Sequence, residues 1–367
     1  MATVKIGIYG SVDAGKTSLI QNLLAVKIKK YDHEEAKSIT TIIGSTSFKI
    51  SKKDSKYLIN SDGNGREYCV VDTPGHMTYR HRSHSSIGFI DHGFVLIEVM
   101  NMQSLAQGLK FSQIFEIYEI PYTIVITKVD GHTKTKILEF TNSVKSKIKK
   151  SKGLIYYTIR SQLARENILN YLYQLDATQK KIKNGLFFAL KSYNPNRIGQ
   201  KIENVTGAVV GGIGAGLKIG DTIKLHDLPS IDSATRTIVD SRIIKIIKNN
   251  TEVLEITDSS FHTIQLSICP DIAAQDGLAG CTISKSEHTG VYSLNLSVVQ
   301  QYSTLKKKMQ IYLLHRGLMV KAQLYCTGKK KITLKFGRPL YLVDYPTHYI
   351  LYQSISGVAL GVAKLTK

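Results

Sequence analysis

Residues 10–17 read Gly-Ser-Val-Asp-Ala-Gly-Lys-Thr, a glycine-rich loop that ends in the phosphate-binding pair Lys16 and Thr17. An apolar run at 3–10 predicts a buried strand before the loop, and the apolar spacing at 17–26 predicts a helix after it. A loop in this context turns successive N–H groups toward one anion, so we expect Lys16 to reach the β- and γ-phosphates and Thr17 to hold Mg²⁺. A glycine-rich turn that matches by chance is the alternative. The predicted phosphate-binding residues are Gly10, Ser11, Val12, Asp13, Ala14, Gly15, Lys16, Thr17 and Ser18.

A second motif follows about 55 residues later, where residues 69–76 read Cys-Val-Val-Asp-Thr-Pro-Gly-His. An apolar strand that ends in Asp72 places a carboxylate where it can reach Mg²⁺ through water. The N–H of Gly75, in the turn that follows, is expected to contact the γ-phosphate. In isolation this stretch indicates only a turn, but its distance from the first motif makes it specific.

A third motif selects the base. Residues 124–130 form an apolar strand that ends in Thr127, Lys128 and Asp130. The carboxylate of Asp130 can accept hydrogen bonds from the guanine N1 and 2-amino groups, which adenine lacks, so ATP would leave a buried acceptor unpaired. The stem of Lys128 is expected to lie over the base. Ser161 and Gln162 follow a predicted strand at 154–159 and form a weaker fourth motif, placed to close over the guanine from the other side.

The arrangement of predicted elements divides the chain. Up to about residue 180, strands alternate with helices at 107–118, 134–149 and 167–175, which indicates a mostly parallel α/β sheet. After Lys183, short runs rich in Val, Ile, Thr and Tyr alternate with Gly, Asn and Asp, which favours barrels. The sequence therefore predicts an α/β P-loop GTPase domain followed by two all-β barrel domains, with boundaries at 1–180, 185–288 and 289–367.

Composition limits the partners and the compartment. A net charge of +21 favours RNA or the ribosome as a partner, although a biased genome composition accounts for the many lysines equally well. None of the four cysteines is spaced as in C-x-x-C, so the sequence indicates neither a zinc ribbon nor a disulfide framework. No apolar run approaches the ~18 residues of a membrane helix, and the N-terminus lacks a secretory pattern, so we expect a cytoplasmic protein without a membrane partner.

Basic clusters have competing interpretations. His81, His84 and His92 could hold a metal, but the interleaved Arg80 and Arg82 favour a basic helix. The lysine runs at 145–152 and 306–308 are interpreted as solvated faces, with RNA contact as the alternative.

The spelling Asp-Thr-Pro-Gly-His at 72–76, together with the other three motifs, resembles the translational GTPases. The resemblance implies binding of GTP and GDP with Mg²⁺. It also implies a catalytic role for His76, which would orient the attacking water once RNA or ribosome contacts place it.

Within this superfamily the chain is similar to the γ subunit of eukaryotic and archaeal initiation factor 2. The segments that carry this similarity lie at 37–44, 192–199, 207–212, 217–221 and 270–280. The resemblance makes Thr40 a Mg²⁺ ligand. It implies tRNA and the ribosome as partners, and further initiation-factor subunits are possible partners. DNA is not an expected partner.

The chain departs from this pattern at several positions. Ser11 and Ala14 stand where the family usually has histidine or another residue, Thr127 replaces an asparagine, and Gln162 replaces a small residue. The spellings around Ala14 and Thr127 are more similar to the GTP-binding-protein-1 branch. Because Thr127 lacks a carboxamide, we expect a looser connection between the base-binding loop and the phosphate loop.

The leading hypothesis is a translation factor that hydrolyses GTP as a switch and delivers aminoacylated tRNA, with initiator tRNA as one candidate. The alternatives are a GTP-dependent carrier on RNA or the ribosome with little hydrolysis, and a GTPase in RNA turnover or ribosome rescue. The third and second motifs disfavour a P-loop kinase.

Overall fold

The structure is a computed structural model. It describes residues 3–24, 43–54, 56–59, 65–76, 79–177, 182–196, 201, 204–228, 238–249, 251–315, 318–327, 330–342, 348–354 and 359–365. The chain divides into two compact units, Met1–Gln179 and Lys180–Lys367. Along the described ranges, no helix is both long enough and apolar enough to cross a membrane.

The first unit alternates strands and helices, as the sequence predicts. Its strands are β1 (Val4–Gly10), β2 (Gly44–Lys53), β3 (Lys56–Ile59), β4 (Arg66–Asp72), β5 (His92–Glu98), β6 (Tyr122–Thr127) and β7 (Leu154–Tyr157). The helices in its described part are α1 (Lys16–Leu24), α2 (Arg80–Ile87), α3 (Met102–Ile117), α4 (Lys134–Lys147) and α5 (Gln162–Gln174). The sheet order is β3-β2-β4-β1-β5-β6-β7. β4, β1, β5, β6 and β7 run parallel to one another, whereas β2 pairs antiparallel with both β4 and β3.

The parallel strands place their carboxyl ends on one edge of the sheet. β1 and β6 are buried along their whole length, and apolar residues predominate in both. β4 and β5 flank β1 on opposite sides, so the chain continues from β1 at the point where the strand order reverses. In open α/β sheets the crevice at such a point is where ligands bind.

Two helices start five residues earlier than their apolar spacing predicts, because polar caps precede them. Asn101 accepts a hydrogen bond from the N–H of Ser104 at 2.9 Å and caps α3. Ser161 accepts one from the N–H of Ala164 at 3.2 Å and caps α5. A side chain that satisfies a free N–H of the first turn lets a helix begin before its apolar stripe does.

The histidines that follow the second motif do not form one basic face. His84 lies on α2 but is buried, and its ring contacts Phe111. His92 belongs to β5, where its ring nitrogen lies 2.9 Å from Oγ1 of Thr123. Burial lowers the pKa of His92 to about 4, so this ring stays neutral at physiological pH. The interpretation of these histidines as part of a basic helix is therefore wrong for His92, which lies on a strand, whereas His84 does lie on α2.

The second unit begins with a closed barrel. Its strands are β8 (Leu186–Tyr193), β9 (Val209–Ala215), β10 (Thr222–His226), β11 (Ile238–Lys248), β12 (Thr251–Glu252), β13 (Phe261–Leu266) and β14 (Thr282–Ser284). The order β10-β14-β8-β9-β13-β11 closes through pairing of β10 with β11, and β12 adds a short hairpin to β11. Alternating side chains such as Ile223, Leu225, Ile264 and Leu266 fill the interior.

A second barrel follows, so two six-stranded barrels succeed the α/β sheet. Its strands are β15 (Gly290–Gln301), β16 (Gln310–His315), β17 (Leu318–Thr327), β18 (Lys331–Tyr341), β19 (His348–Tyr352) and β20 (Ala359–Leu365). They close in the order β15-β18-β17-β16-β19-β20. On β18, Ile332 and Leu334 point into the core while Lys331 and Lys335 are exposed. The predicted fold class is confirmed.

Candidate nucleotide site

The loop after β1 has the backbone geometry of a phosphate cradle. Gly10 and Gly15 have positive φ angles of 154° and 89°, and Asp13 lies between them at 59°. A Cβ on Gly10 would lie 2.7 Å from the carbonyl oxygen of Leu96 on the neighbouring strand, so only glycine fits there. Lys16 then begins α1, whose first N–H groups have no acceptor within the helix.

Lys16 carries a buried amine within this loop. Nζ of Lys16 donates to the carbonyl oxygens of Ser11 at 2.6 Å and Gly10 at 3.2 Å. Burial lowers the pKa of Lys16 to about 8, although the carboxylates of Asp72 and Asp13 act in the opposite direction. A phosphate would offer this amine a charged hydrogen-bond acceptor, whereas the two hydrogen bonds above go to neutral carbonyl oxygens.

Thr17 and Asp72 bring the first two motifs together. Oγ1 of Thr17 donates to Oδ2 of Asp72 at 2.7 Å, across 55 residues of sequence. The parallel register that aligns Ile8 with Asp72 fixes this contact, because it carries the end of β4 to the start of the phosphate loop. A hydroxyl beside a carboxylate is an oxygen donor set that suits Mg²⁺.

Gly75 and His76 follow Asp72 in the chain, at the carboxyl edge of the sheet. Nε2 of Gln107 on α3 donates to the carbonyl oxygen of Gly75 at 3.2 Å. Gly75 itself is buried, whereas His76 is exposed. The side chain that is expected to orient water therefore lies at the surface of the first unit.

The third motif lies at the end of β6. Thr127 is buried, Lys128 has a left-handed φ of 60°, and Asp130 sits in the 3-10 turn Val129–Gly131. A hydrogen bond from Thr158 holds the pKa of Asp130 below its usual range, and the guanidinium of Arg160, 3.5 Å away, contributes to the same shift. Asp130 is therefore ionised and ready to accept hydrogen bonds at neutral pH.

The fourth motif lies beside the third because β7 pairs with β6. Ser161 caps α5, and Nε2 of Gln162 donates to Glu166 at 3.1 Å. Both side chains therefore have partners within α5. The position of the motif at the same sheet edge agrees with the sequence-based expectation, but its contact with guanine stays a prediction.

The carboxyl edge of the sheet thus holds the residues of all four predicted motifs. Thr40 lies outside the described residues. Sequence reasoning did not single out Glu98, Ser104 and Gln107, which contact motif residues from β5 and α3. The polar cap at Asn101 was the available signal that α3 begins at this edge.

The residues 1–215 match the model of the elongation factor Tu GTP binding domain, which is more than half of the chain. The chain belongs to that family. This translational GTPase is 21% identical over 410 residues to translation initiation factor 2 subunit gamma of Sulfurisphaera tokodaii, with 99% of this chain and 98% of that protein covered. It is also 21% identical to eukaryotic translation initiation factor 2 subunit gamma of Encephalitozoon cuniculi, over 77% and 72% of the two chains.

Solved structures share the architecture of this translational GTPase. The bacterial selenocysteine-specific elongation factor EF-Sec matches with a TM-score of 0.75 at 16% identity. The match covers 100% of this chain but 58% of the length of that factor. Elongation factor SelB of Methanococcus maripaludis, in complex with the GTP analogue GPPNHP, matches with a TM-score of 0.71 and 79% coverage of its length. These likenesses concern the fold.

Proposed function

We propose that this translational GTPase binds GTP and hydrolyses it to GDP as a switch that governs delivery of aminoacylated tRNA to the ribosome. The observation that carries the proposal is the 2.7 Å contact between Thr17 and Asp72 beside the buried Lys16. An oxygen donor pair next to a buried cation is the combination that a magnesium–nucleotide complex requires. The proposed functional divisions are 1–180, 185–288 and 289–367.

The residues at the carboxyl edge of the sheet could bind both the phosphates and the base of a guanine nucleotide. Lys16 and the N–H groups of 10–18 would bind the phosphates, and the ionised Asp130 would accept from the guanine edge. Lys128, together with Thr127, Ser161 and Gln162, would complete the base pocket. Selection against ATP follows, because adenine offers Asp130 no matching donors.

Thr17 and Asp72, with Thr40 as the third expected ligand, would hold Mg²⁺. When bound, the ion neutralises charge that develops on the phosphates during transfer to water. His76 is proposed to position the attacking water. Its exposure makes it accessible to an RNA or ribosome contact that places it, so we expect slow hydrolysis by the isolated protein.

The charge of the last barrel supports RNA as the partner. Residues 289–367 contain twelve lysine and arginine residues and one acidic residue, Asp344. Lys331 and Lys335 project outward from β18, and Lys321 projects from β17. A face of this kind attracts a phosphate backbone. The similarity to initiation factor 2 subunit gamma further favours initiator tRNA, partner subunits of that factor and a cytoplasmic site of action.

GTP turnover in the presence and absence of ribosomes tests the proposal. We expect affinity for GTP to exceed affinity for ATP by at least about 100-fold, and ribosomes charged with tRNA to stimulate turnover. His76→Ala should abolish the stimulated rate and leave GTP affinity unchanged. His132→Ala, at another exposed histidine, acts on the charge of Asp130 and should retain the stimulated rate at saturating GTP. Equal affinity for ATP and GTP would refute the guanine site, and turnover that ignores ribosomes would favour a carrier without a hydrolytic switch.

A further inference from the structure

The first two turns of α3 contact three of the nucleotide motifs. Ser104 contacts the phosphate loop, and Gln107 contacts the second motif through the carbonyl of Gly75. Asn101, which caps the helix, donates from Nδ2 to Oε2 of Glu98 at 3.0 Å, and Glu98 in turn contacts the third motif. α3 contributes no residue to the motifs themselves, yet its start lies between them.

Ser104 joins the phosphate loop to the end of β5. Its hydroxyl oxygen accepts a hydrogen bond from Oγ of Ser11 at 3.0 Å and another from the N–H of Glu98 at 3.0 Å. The side chain of Ser104 is fully buried, so water does not replace either bond when the hydroxyl is removed. Ser104 therefore links the side chain of Ser11 to the backbone of Glu98.

Glu98 continues the connection to the base-binding motif. Its Oε1 accepts from Nζ of Lys128 at 2.9 Å, while its Oε2 is held by Asn101. The carboxylate is about three-quarters buried, and a second hydrogen bond fixes its orientation. The ion pair therefore holds the amine of Lys128 beside the end of β5.

Thr127 makes no such connection. The hydroxyl of Thr127 is buried without a hydrogen-bond partner among the described residues. The side chain of Thr127 therefore does not link the base-binding loop to the phosphate loop among the described contacts. The described contacts instead run from Ser11 through Ser104 and Glu98 to Lys128.

We propose that Ser104 and Glu98 are positioning residues that hold the base-binding lysine in register with the phosphate loop and thereby slow the release of guanine nucleotide. This inference rests on the proposed guanine-nucleotide site. It assigns the connection between the phosphate loop and the base-binding loop to residues outside the four motifs. Nucleotide that binds the phosphate loop thus also fixes the lysine over the base.

The test is the rate of GDP dissociation from Ser104→Ala, measured with a fluorescent GDP analogue in the full chain. We expect release to accelerate by about tenfold, because Ser11 and Lys128 no longer share an anchor. Ser112→Ala is the matched control: Ser112 is also buried on α3, but its hydroxyl donates to the carbonyl of Gly108 within the helix. The control removes a buried hydroxyl that contacts no motif residue in the described hydrogen bonds, so it should leave release unchanged.

Glu98→Gln supplies an independent measurement if Ser104→Ala folds poorly, because Glu98 is partly exposed and its substitution is isosteric. It should accelerate GDP release about fivefold by removing the ion pair. In the double variant, the fold-acceleration of GDP release should be clearly smaller than the product of the two single fold-accelerations. Both substitutions interrupt the same connection, so their effects should not be independent.

The outcomes separate this inference from the proposed function. If the wild-type chain binds no guanine nucleotide, the site itself is refuted. If it binds GDP tightly while Ser104→Ala and Glu98→Gln release it at the wild-type rate, or if their effects multiply fully, the positioning role is refuted and the site stands.

Discussion

Gly75 lies directly against the phosphate loop: a Cβ built on Gly75 would stand 2.8 Å from the carbonyl oxygen of Ser11. Such an approach is closer than van der Waals contact allows, so Gly75→Ala must move the second motif away from the loop. The same Cβ would also meet Nζ of Lys16, which is proposed to bind the β-phosphate that GTP and GDP share. We therefore expect GTP affinity to fall about tenfold and GDP affinity to fall less, because the N–H of Gly75 is proposed to contact only the γ-phosphate. Titration with fluorescent analogues of both nucleotides measures the ratio.

Gly88→Ala provides the control for this substitution. Gly88 ends α2 in a right-handed conformation, and nothing lies within 4 Å of a Cβ built on it. The same added methyl group should therefore leave both affinities unchanged. An equal decrease of GTP and GDP affinity in Gly75→Ala would contradict a γ-phosphate role for this position.

Base selection depends on Asp130 in our proposal. Asp130→Asn replaces a charged acceptor by an amide, so it removes the charge-assisted hydrogen bonds to the guanine N1 and 2-amino groups. At ~1.5–3 kcal/mol for each such bond, GDP affinity should fall by at least about 100-fold. Xanthine carries an oxygen in place of the 2-amino group, so the variant should gain affinity for xanthosine diphosphate relative to GDP. Competition titrations of the two diphosphates provide the measurement.

Asp176→Asn controls for the change of charge, because Asp176 is an exposed acid in the same unit and pairs with Arg66 at 2.9 Å. This control should bind GDP like the wild type. An Asp130→Asn variant that keeps the wild-type preference for GDP would show that another group reads the base.

The sheet edge was predictable because its signals are local in sequence. A glycine-rich loop, a strand that ends in Asp72 and a strand that ends in Asp130 each occupy a short run of consecutive residues, and the parallel sheet then brings them together without further information. The contact between Thr17 and Asp72 follows from strand register alone.

The connection through α3 was not predictable in this way. Ser104 and Glu98 belong to no recognisable sequence motif. Their proposed role depends on the hydrogen bond between the hydroxyls of Ser104 and Ser11, which lie 93 residues apart. Sequence reasoning predicted a looser connection at Thr127, but not the residues that connect the two loops. Spacing likewise misplaced the start of α3, because the cap at Asn101 precedes the apolar stripe.

The pKa of Lys16 predicts a pH dependence of stability without nucleotide. Burial lowers this pKa from 10.5 to about 8, so the folded chain releases a proton that the unfolded chain retains between those pH values. Below pH 8 the charged buried amine lowers the free energy of unfolding, and the free energy should rise with pH across the window by about 3 kcal/mol. Denaturant unfolding at several pH values from about 7 to 10.5 measures it.

Lys16→Met isolates this contribution from the tyrosines and other lysines that titrate nearby. The difference in free energy of unfolding between wild type and Lys16→Met should shift in favour of the wild type as the pH rises, and then level off above about 10.5. A pH-independent difference would contradict the burial of a charged amine. Saturating GDP should weaken the dependence, because a phosphate beside Lys16 stabilises its charged form.

The outward face of the last barrel is expected to contact RNA, and salt dependence distinguishes this contact from general attraction. Lys331→Gln combined with Lys335→Gln should weaken tRNA binding by about tenfold and reduce the slope of log affinity against log salt by about 2, roughly one unit for each lysine that no longer neutralises a phosphate. The matched control substitutes Lys245 and Lys248 in the preceding barrel, whose amines already pair with Glu252 at 2.8 Å and Asp258 at 2.7 Å. Because those pairs neutralise the lysines, the control should retain the wild-type slope. If affinity and slope fell equally in both double variants, the attraction would depend on net charge alone and not on this face.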